Sequence, residues 1–508
     1  MKTIIFRHFQ FPMIFLASAQ KQKPNKTKAD STIAMALDMT SFETIIPSRF
    51  LSFTIPHPTL PNLLLRVAIL DSPIQSTESP RVAALFVPQN RESDWVFSTE
   101  SGHLQLLLSS PGISRLILIG KNPVNDAPDS LLISYKKNGD SQFVNSLVHS
   151  LRPLFVGFSP KTCVKDRIFD VPILDYEDNL ICSVVLERCS GVFVGEMLIQ
   201  DVEIETNNEL DDDVCRKREF RRRLRFKRMP NLIQTEIRIV PVTGFISDSV
   251  TIGGEVKFRP DVGTLVHPYF TPMVASLSLV GCHINDRIQN GLKPKALCLG
   301  VGGGALLSFL RTQLGFEVFG VEMDDEVFRV ARQYFGLENS EIQVFIGDAM
   351  EYLETFASRG SSSNLVCNKI EEDYVNHSIS FDPKFDVIMV DLDSNDPTTG
   401  ISAPPLELIQ RHVLSALHSI ICDYGILIMN VIPPSRPFFD TLVSKLQEFF
   451  HELFEIDVGN GENTVLVAKK SPVLSSASCC QNTFLKKLKQ MILGKYLDSI
   501  KKIDPSGE

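Results

Sequence analysis

The chain lacks the sequence patterns that define several protein classes. Its ten cysteines include no Cys-x-x-Cys pair, the spacing expected of zinc ribbons and redox motifs. Cys182, Cys298 and Cys422 stand within apolar runs, which favours reduced, buried thiols over a disulfide framework. The adjacent Cys479 and Cys480 are interpreted as exposed thiols, although such a pair can also bind a metal. We therefore predict no metal site.

Long apolar runs and an excess of positive charge are also missing. No run approaches the length of about 18 apolar residues needed to span a bilayer, so no transmembrane segment is expected. The net charge of -9 argues against general nucleic-acid binding. With 508 residues, 44% of them hydrophobic, the chain is long enough for two compact domains with a large buried core.

The N-terminal segment is basic. Its first 29 residues contain six Lys or Arg and no acidic residue. The apolar stretch Phe11 to Ala17 imitates a signal or transit peptide, but it is short and contains Pro12. Residues 1–34 are therefore expected to be a leader or a nonessential extension. The predicted location is cytoplasmic, with organelle import as the alternative.

The most informative segment is an apolar strand that runs into clustered glycines, Gly300-Val301-Gly302-Gly303-Gly304. Such a loop lets the backbone approach a nucleotide-type ligand closely. Gly300, Gly302 and Ala305 also match the Gly-x-Gly-x-x-Ala spacing of NAD sites. The loop alone therefore predicts a cofactor without identifying it.

Three later strands narrow the choice of cofactor. The first ends in Glu322, 22 residues past Gly300, where a carboxylate can bind ribose hydroxyls. The second is followed by Gly347-Asp348-Ala349, in which Asp348 can accept a hydrogen bond from an adenine amino group. The third is followed by Asp391-Leu392-Asp393-Ser394-Asn395-Asp396-Pro397, which places acidic groups at the carboxyl edge of the sheet. Together these positions favour an S-adenosylmethionine site.

The predicted reaction is the transfer of a methyl group to a protein amine. The predicted cofactor-binding residues are Gly300, Gly302, Gly304, Glu322, Asp348, Ala349 and Asp391. Asp391, together with Asp393, is predicted to hold the incoming amine and accept its proton, because a protonated amine has no lone pair with which to attack.

These segments resemble the C-terminal, spermidine-synthase-like domain of the elongation factor 1-alpha lysine and N-terminal methyltransferase family. The similarity covers roughly Arg221 to Lys470 and is most specific in Asp391 to Pro397 and in the arginine-rich segment Phe220 to Arg228. It implies an α/β fold with a seven-stranded, Rossmann-like class I S-adenosylmethionine-dependent methyltransferase domain. It also implies elongation factor 1-alpha as the suspected substrate, methylated at its N-terminus. Because the first 220 residues contain no second glycine loop, the family's separate lysine-methylating domain is expected to be missing.

Hydrophobic patterning predicts five segments along the chain. They are the extension 1–34, a β-rich α+β accessory domain 35–240, a hairpin and helix within 241–292, the methyltransferase domain 293–470, and a tail 471–508. The tail is expected to carry a basic amphipathic helix, 482–503, that docks onto its own domain. Residues 360–380 are predicted to be a surface insertion.

The segment Arg216 to Arg228 contains nine basic residues and one Glu. Leu224 and Phe226 alternate with basic residues, which is typical of a half-buried strand. Two interpretations stay open. The basic residues either pair with preceding acids such as Asp211 to Asp213 or form a docking surface for an acidic partner.

Two other functions also stay open. Spermidine synthases share this fold and an Asp at the end of the fourth strand, so an aminopropyltransferase is the first alternative. Against it, Gly303 stands where their glycine loop carries an Asp, and Phe270-Thr271-Pro272 replaces their polar polyamine-binding groups. The second alternative is a non-catalytic cofactor-binding or interaction module, because acidic residues that follow strands are often only loop caps. The oligomeric state is left open.

Overall fold

A computed structural model describes most of the chain. The described ranges are 42–60, 62–74, 79–110, 112–122, 132–135, 141–163, 171–176, 178–206, 217–242, 250–337, 342–359, 384–392, 403–433, 435–472, 482–492 and 496–504. Several features predicted above lie outside these ranges, namely residues 1–34, Asp211 to Asp213, the insertion 360–380, Asp393 and the pair Cys479 and Cys480.

Nineteen strands occur in the described ranges. They are β1 Phe50–Pro56, β2 Leu64–Asp71, β3 Val82–Phe86, β4 Arg115–Lys121, β5 Leu132–Ser134, β6 Ile173–Leu174, β7 Leu180–Gly191, β8 Gly195–Thr206, β9 Lys217–Phe226, β10 Ile233–Pro241, β11 Phe258–Pro260, β12 Lys295–Leu299, β13 Glu317–Glu322, β14 Ile342–Ile346, β15 Phe385–Val390, β16 Ile421–Val431, β17 Glu452–Asp457, β18 Thr464–Lys469 and β19 Lys501–Ile503.

Eleven α-helices occur in the same ranges. They are α1 Trp95–Ser98, α2 Glu100–Leu108, α3 Ser141–Gly157, α4 Phe270–Ala275, α5 Gly281–Gln289, α6 Ala305–Leu314, α7 Asp325–Tyr334, α8 Ala349–Arg359, α9 Arg411–Ile420, α10 Arg436–Gln447 and α11 Thr483–Met491. Among these helices, none combines the length and apolar character needed to cross a bilayer.

The chain divides into two compact units. The first comprises Met1–Val184, Glu203–Arg218 and Lys227–Leu232, and the second comprises Val185–Val202, Glu219–Phe226 and Ile233–Glu508. Strands β7, β8 and β9 contribute residues to both units and belong to a sheet with the order β11-β10-β9-β8-β7-β5. The segment boundaries predicted from the sequence, including residue 240, stay predictions.

The first unit contains a five-stranded sheet with the order β1-β2-β4-β3-β6. Strand β3 pairs in parallel with β4 and β6, whereas β2 pairs antiparallel with β1 and β4. Arg115 is fully buried and donates to both carboxylate oxygens of Asp71, at 2.6 and 3.0 Å. The unit is therefore a mixed α/β structure held by a buried ion pair, and its parallel pairings were not predicted.

The second unit contains the predicted α/β sheet. Its strand order is β14-β13-β12-β15-β16-β18-β17-β19. The first five strands in this order are parallel, and the last three pair antiparallel. The sheet thus has eight strands in the described ranges, one more than the seven predicted, because the short strand β19 adds to the edge at β17.

The core of this unit covers both faces of the sheet. Side chains alternate along β12, so Ala296 and Cys298 join one apolar cluster and Leu297 and Leu299 join the other. Burial on both faces explains why the strand is a continuous apolar run. The six cysteines in the described part of the chain are free, and of the three predicted to be buried, Cys182 and Cys298 are buried whereas Cys422 is partly exposed.

The arginine-rich strand β9 is buried on both faces, in contrast to the half-buried strand that was predicted. Arg222, Arg223 and Arg225 are each less than a tenth exposed. Arg222 donates to both carboxylate oxygens of Asp201, at 2.6 and 2.9 Å, and Arg223 donates to Glu236 at 2.6 Å. These charges are paired inside the unit, so they do not form a docking surface for an acidic partner.

Glu236 lies between two arginines of this strand. Its carboxylate accepts hydrogen bonds from Arg223 and Arg221 on separate oxygens. Burial opposes ionisation of this carboxyl group, but the charges of Arg223 and Arg221 outweigh it and lower the pKa of Glu236 to about 2. The carboxylate therefore stays charged over the physiological pH range.

The tail docks onto its own unit, as predicted, but its helix is shorter than predicted. Helix α11 ends at Met491, and residues 501–503 form strand β19 instead. Phe484 and Leu488 join the apolar core. Asn285 on α5 accepts the backbone N–H of Thr483 at 3.1 Å and so fixes the start of the helix.

We expect Arg222→Ala to destabilise the protein strongly. The change leaves the Asp201 carboxylate, only 6% exposed, without its two-point partner, and breaking a buried pair costs about 3 to 5 kcal/mol. Arg238→Ala is the control, because that side chain is 42% exposed and 3.4 Å from Asp261, and its loss should cost less than about 1 kcal/mol. Urea unfolding of both variants checks this, and equal small losses would contradict it.

Candidate functional site

Parallel strands bring the predicted residues to one edge of the sheet. Strands β12, β13, β14 and β15 are neighbours in the sheet and point the same way, so their carboxyl ends lie side by side. The glycine loop, Glu322, Asp348 and Asp391 stand at or just after these ends. Every predicted site residue in the described ranges is therefore placed at this edge.

The glycine loop follows β12 in a backbone conformation that only glycine adopts readily. The φ angles of Gly300, Gly302 and Gly304 are 88°, 52° and 76°. At Gly300 a Cβ atom would lie 2.1 Å from the backbone oxygen of Asp391. This loop must therefore be glycine both for its shape and for its close approach to the next strand.

Gly303 is required for a different reason, its packing against β10. A Cβ atom at this position would lie 2.4 Å from Cγ2 of Thr235 and 3.0 Å from the ring of Phe335. The Gly303 N–H also donates to Oγ1 of Thr235 at 2.8 Å. The space that a side chain would need is thus taken by Thr235.

Glu322 closes the glycine loop from the neighbouring strand. Its Oε2 accepts the backbone N–H groups of Val301 and Gly302, both at 3.1 Å, and its Oε1 accepts that of Asp324 at 3.2 Å. Burial raises the pKa of Glu322, and these backbone donors only partly oppose the shift. The carboxylate is held in place with acceptor capacity left on both oxygens.

Asp348 and Ala349 lie where β14 leads into α8. Oδ1 of Asp348 accepts the N–H groups of Met350 and Glu351 at 2.7 and 3.2 Å, so it caps the helix. Within the described ranges its Oδ2 has no hydrogen-bond partner assigned, so this oxygen can accept from a ligand. Ala349 packs into the apolar core, which leaves its backbone to contact a ligand.

Asp391 is held by two polar residues that the sequence analysis missed. Oδ2 accepts the hydroxyl of Tyr269 at 3.1 Å, and Oδ1 accepts the side-chain amide of Asn430 at 3.1 Å. Tyr269 and Asn430 are 6% and 3% exposed. The carboxylate is therefore fixed in one orientation beside the glycine loop.

One of these two residues carried a detectable signal. Asn430 is the single polar residue in the apolar run Ile426 to Val431, and a lone polar group in a buried strand needs a partner. Tyr269 directly precedes Phe270-Thr271-Pro272. Because it is far from Asp391 along the chain, its hydrogen bond to Asp391 could not be predicted from the sequence.

A second polar group lies at the opposite edge of the sheet. His283, Asp386 and Cys422 each offer one metal-ligand atom within 4.8 Å of the others. Asp386 accepts from His283 at 2.6 Å and from the backbone N–H of Lys295 at 2.8 Å, and Arg287 lies 3.2 Å away. Burial opposes ionisation here, but these partners together lower the pKa of Asp386. Because positive charge is already supplied, the group acts as a brace between α5 and the strand starts.

We expect Gly303→Ala to destabilise the protein, because the new methyl group overlaps Cγ2 of Thr235. Overpacking of this kind costs about 1 to 3 kcal/mol. Adding Thr235→Ser removes that methyl group but keeps the hydroxyl that accepts from residue 303, so the double variant should recover part of the loss. Urea unfolding of both single variants and the double variant measures this. Strictly additive losses would show that the two side chains do not compete for space.

Comparisons with known proteins place the chain near one group of curated relatives. No family model matches it. The eEF1A lysine and N-terminal methyltransferase of Danio rerio is 26% identical over 436 residues, which cover 83% of this chain and 56% of the relative. The protein of that name from Homo sapiens is 24% identical over 421 residues, covering 80% and 53%. The chain therefore spans about half the length of the curated relatives it matches.

The solved structures have low overall structural similarity to this chain. Human methyltransferase-like protein 13 in complex with SAH has a TM-score of 0.37 and 24% identity, over 45% of this chain and 94% of that one. Spermidine synthase from Thermotoga maritima has a TM-score of 0.30 and 17% identity, over 52% and 80%. The curated relatives, matching about four-fifths of the chain, thus confirm the predicted resemblance to the eEF1A lysine and N-terminal methyltransferase family.

Proposed function

We propose that this protein is an S-adenosylmethionine-dependent methyltransferase that acts on a protein amine. The observation that carries the proposal is the contact between Gly300 and the backbone of Asp391. It joins a glycine cradle, closed by Glu322, to a carboxylate held by Tyr269 and Asn430. A cofactor cradle and an acidic group for the acceptor are thus immediate neighbours.

The residues present are suited to this cofactor. Gly300, Gly302 and Gly304 would lie beside the methionine portion of the cofactor, and Glu322 would accept from the ribose hydroxyls. The second oxygen of Asp348 would accept from the adenine amino group. Bound S-adenosylmethionine would supply an electrophilic methyl group on a positively charged sulfur.

The proposed task of Asp391 is to handle the acceptor amine. A protein amine is mostly protonated at neutral pH and attacks only after it has lost a proton. The Asp391 carboxylate would attract the ammonium group, orient it and accept or pass on that proton. Asp393, the second predicted acidic residue, is proposed as an additional contact for the same amine.

The proposed acceptor is the N-terminal amine of elongation factor 1-alpha. The similar curated proteins are named for both lysine and N-terminal methylation of this factor. The resemblance of the glycine loop and the Asp391 segment to the family's C-terminal domain implies methylation at the N-terminus. A cytoplasmic location is proposed with it.

Gly303 favours intact S-adenosylmethionine over the decarboxylated cofactor used in polyamine synthesis. An acidic side chain at this position would repel the carboxylate of the intact cofactor, and Thr235 occupies the space for any side chain there. Pro272, within α4, cannot anchor a polyamine cation because it has no polar side chain. These two positions argue against an aminopropyltransferase.

We expect calorimetry to show tighter binding of intact S-adenosylmethionine than of the decarboxylated form. Glu322→Ala should weaken binding of the intact cofactor by roughly 1.5 to 3 kcal/mol, the range for hydrogen bonds to a charged group. Glu317→Ala is the control, because this residue begins the same strand at its far end. Tighter binding of the decarboxylated cofactor would overturn the methyltransferase proposal.

The decisive experiment is mass spectrometry of elongation factor 1-alpha after incubation with purified protein and isotopically labelled S-adenosylmethionine. We expect label on the N-terminal amine. Asp391→Asn removes the negative charge but keeps the shape, and turnover should fall by roughly a hundredfold while cofactor affinity stays the same.

Four results would change the proposal. Label only on lysine would correct the acceptor position, and label on other proteins only would correct the substrate. Wild-type turnover by the Asp391→Asn variant would show that this carboxylate has a structural role. Formation of spermidine from putrescine and decarboxylated cofactor would favour the aminopropyltransferase alternative.

A further inference from the structure

Three asparagines connect a surface turn to the Asp391 carboxylate. Asn460 Nδ2 donates to Asn463 Oδ1 at 2.8 Å, and Asn463 Nδ2 donates to Asn430 Oδ1 at 2.7 Å. Asn430 Nδ2 then donates to Asp391 Oδ1 at 3.1 Å. Asn430 and Asn463 are 3% and 1% exposed. We call these three residues the amide chain.

The direction of the amide chain is fixed at its surface end. Asn460 Oδ1 accepts the backbone N–H groups of Glu462 and Asn463, at 3.2 and 3.0 Å. Since a backbone N–H can only donate, the Asn460 amide nitrogen must point the other way, toward Asn463. The turn is held in shape by Gly459 and Gly461, whose φ angles are 81° and 80°.

The direction is also fixed at the inner end. An ionised carboxylate can only accept hydrogen bonds, so Asn430 must present its nitrogen to Asp391 and its oxygen to Asn463. Both ends therefore require the same orientation of every amide. Hydrogen bonds aligned in one direction in a buried site strengthen one another.

We propose that Asn430 and Asn463 are positioning residues for Asp391. Asn430 holds one carboxylate oxygen in its charged form, and Asn463 acts through Asn430 by preventing its amide from turning over. This inference rests on the proposed function, because it assigns Asp391 to the acceptor amine. It extends the site to the turn between β17 and β18.

The test uses the full-length protein with two substitutions at one position. Asn463→Ala removes the donor to Asn430 but leaves Asn430 free to keep its nitrogen on Asp391. Asn463→Asp replaces the donor with an acceptor, so the Asn430 nitrogen turns toward residue 463 and its oxygen then faces Asp391. Asn285→Ala and Asn285→Asp are matched controls, because Asn285 is 6% exposed and lies on α5, outside the amide chain.

The kinetic readout is turnover as a function of pH. We expect turnover to fall less than tenfold in Asn463→Ala, which loses a hydrogen bond between two neutral amides, and about tenfold or more in Asn463→Asp, which also takes the Asn430 donor away from the charged Asp391. Loss of a donor disfavours the charged carboxylate, so the acidic limb of the pH–rate profile should move to higher pH by about one unit. The Asn285 controls should leave this limb in place. An unmoved limb in both Asn463 variants would overturn the inference while leaving the proposed function intact.

The second readout does not need activity. Asn463→Asp should lower the urea midpoint more in the wild-type background than in an Asp391→Asn background, because an amide at 391 can donate to the turned Asn430 oxygen. Equal losses in the two backgrounds would overturn the inference. If the wild-type protein methylates no amine, the proposed function fails, and this double-mutant comparison still decides the direction of the amide chain.

Discussion

The site depends on the close approach of the glycine loop to the backbone of Asp391. Parallel pairing places β12 between β13 and β15, so the loop after β12 runs between Glu322 and Asp391. Gly300 can make this turn only because no Cβ stands between its backbone and the Asp391 oxygen. A side chain there would push the two strand ends apart and separate the cofactor cradle from the carboxylate. The adjacency of the two halves of the site is therefore a property of the backbone.

Much of the structure at the carboxyl edge of the sheet could be predicted, because each sequence pattern that indicates it lies within one short segment. The apolar run Ala296 to Leu299, the glycines after it and the acidic residues after the next strands each report on their own segment of chain. Parallel α/β sheets then bring such strand ends together in a known way. This explains why the placement of Glu322, Asp348 and Asp391 was predicted. It also explains the error in strand number, because the three-residue strand β19 is too short to show a pattern of its own.

What could not be predicted depends on contacts between distant segments. The alternation in β9 indicated one solvated face, yet on that face Glu236 pairs with Arg221 and Arg223. On the opposite face, among the apolar side chains, Asp201 pairs with Arg222. Nothing in the local pattern distinguishes a solvated arginine from one with a partner 21 residues away. For the same reason, the hydrogen bond of Tyr269 to Asp391, 122 residues away, could not be predicted. Polar residues in buried strands carry a partial signal because they need partners, but the sequence does not name the partners.

Position 303 shows how one residue can satisfy two constraints. In the proposed function, the absence of a carboxylate there would admit the carboxylate of intact S-adenosylmethionine. For the fold, Thr235 on β10 fills the space and its hydroxyl accepts the Gly303 N–H. An acidic residue at position 303 would therefore need a second change at Thr235. The proposed preference for the intact cofactor would thus depend on the contact between β10 and the glycine loop as well as on the residue at position 303.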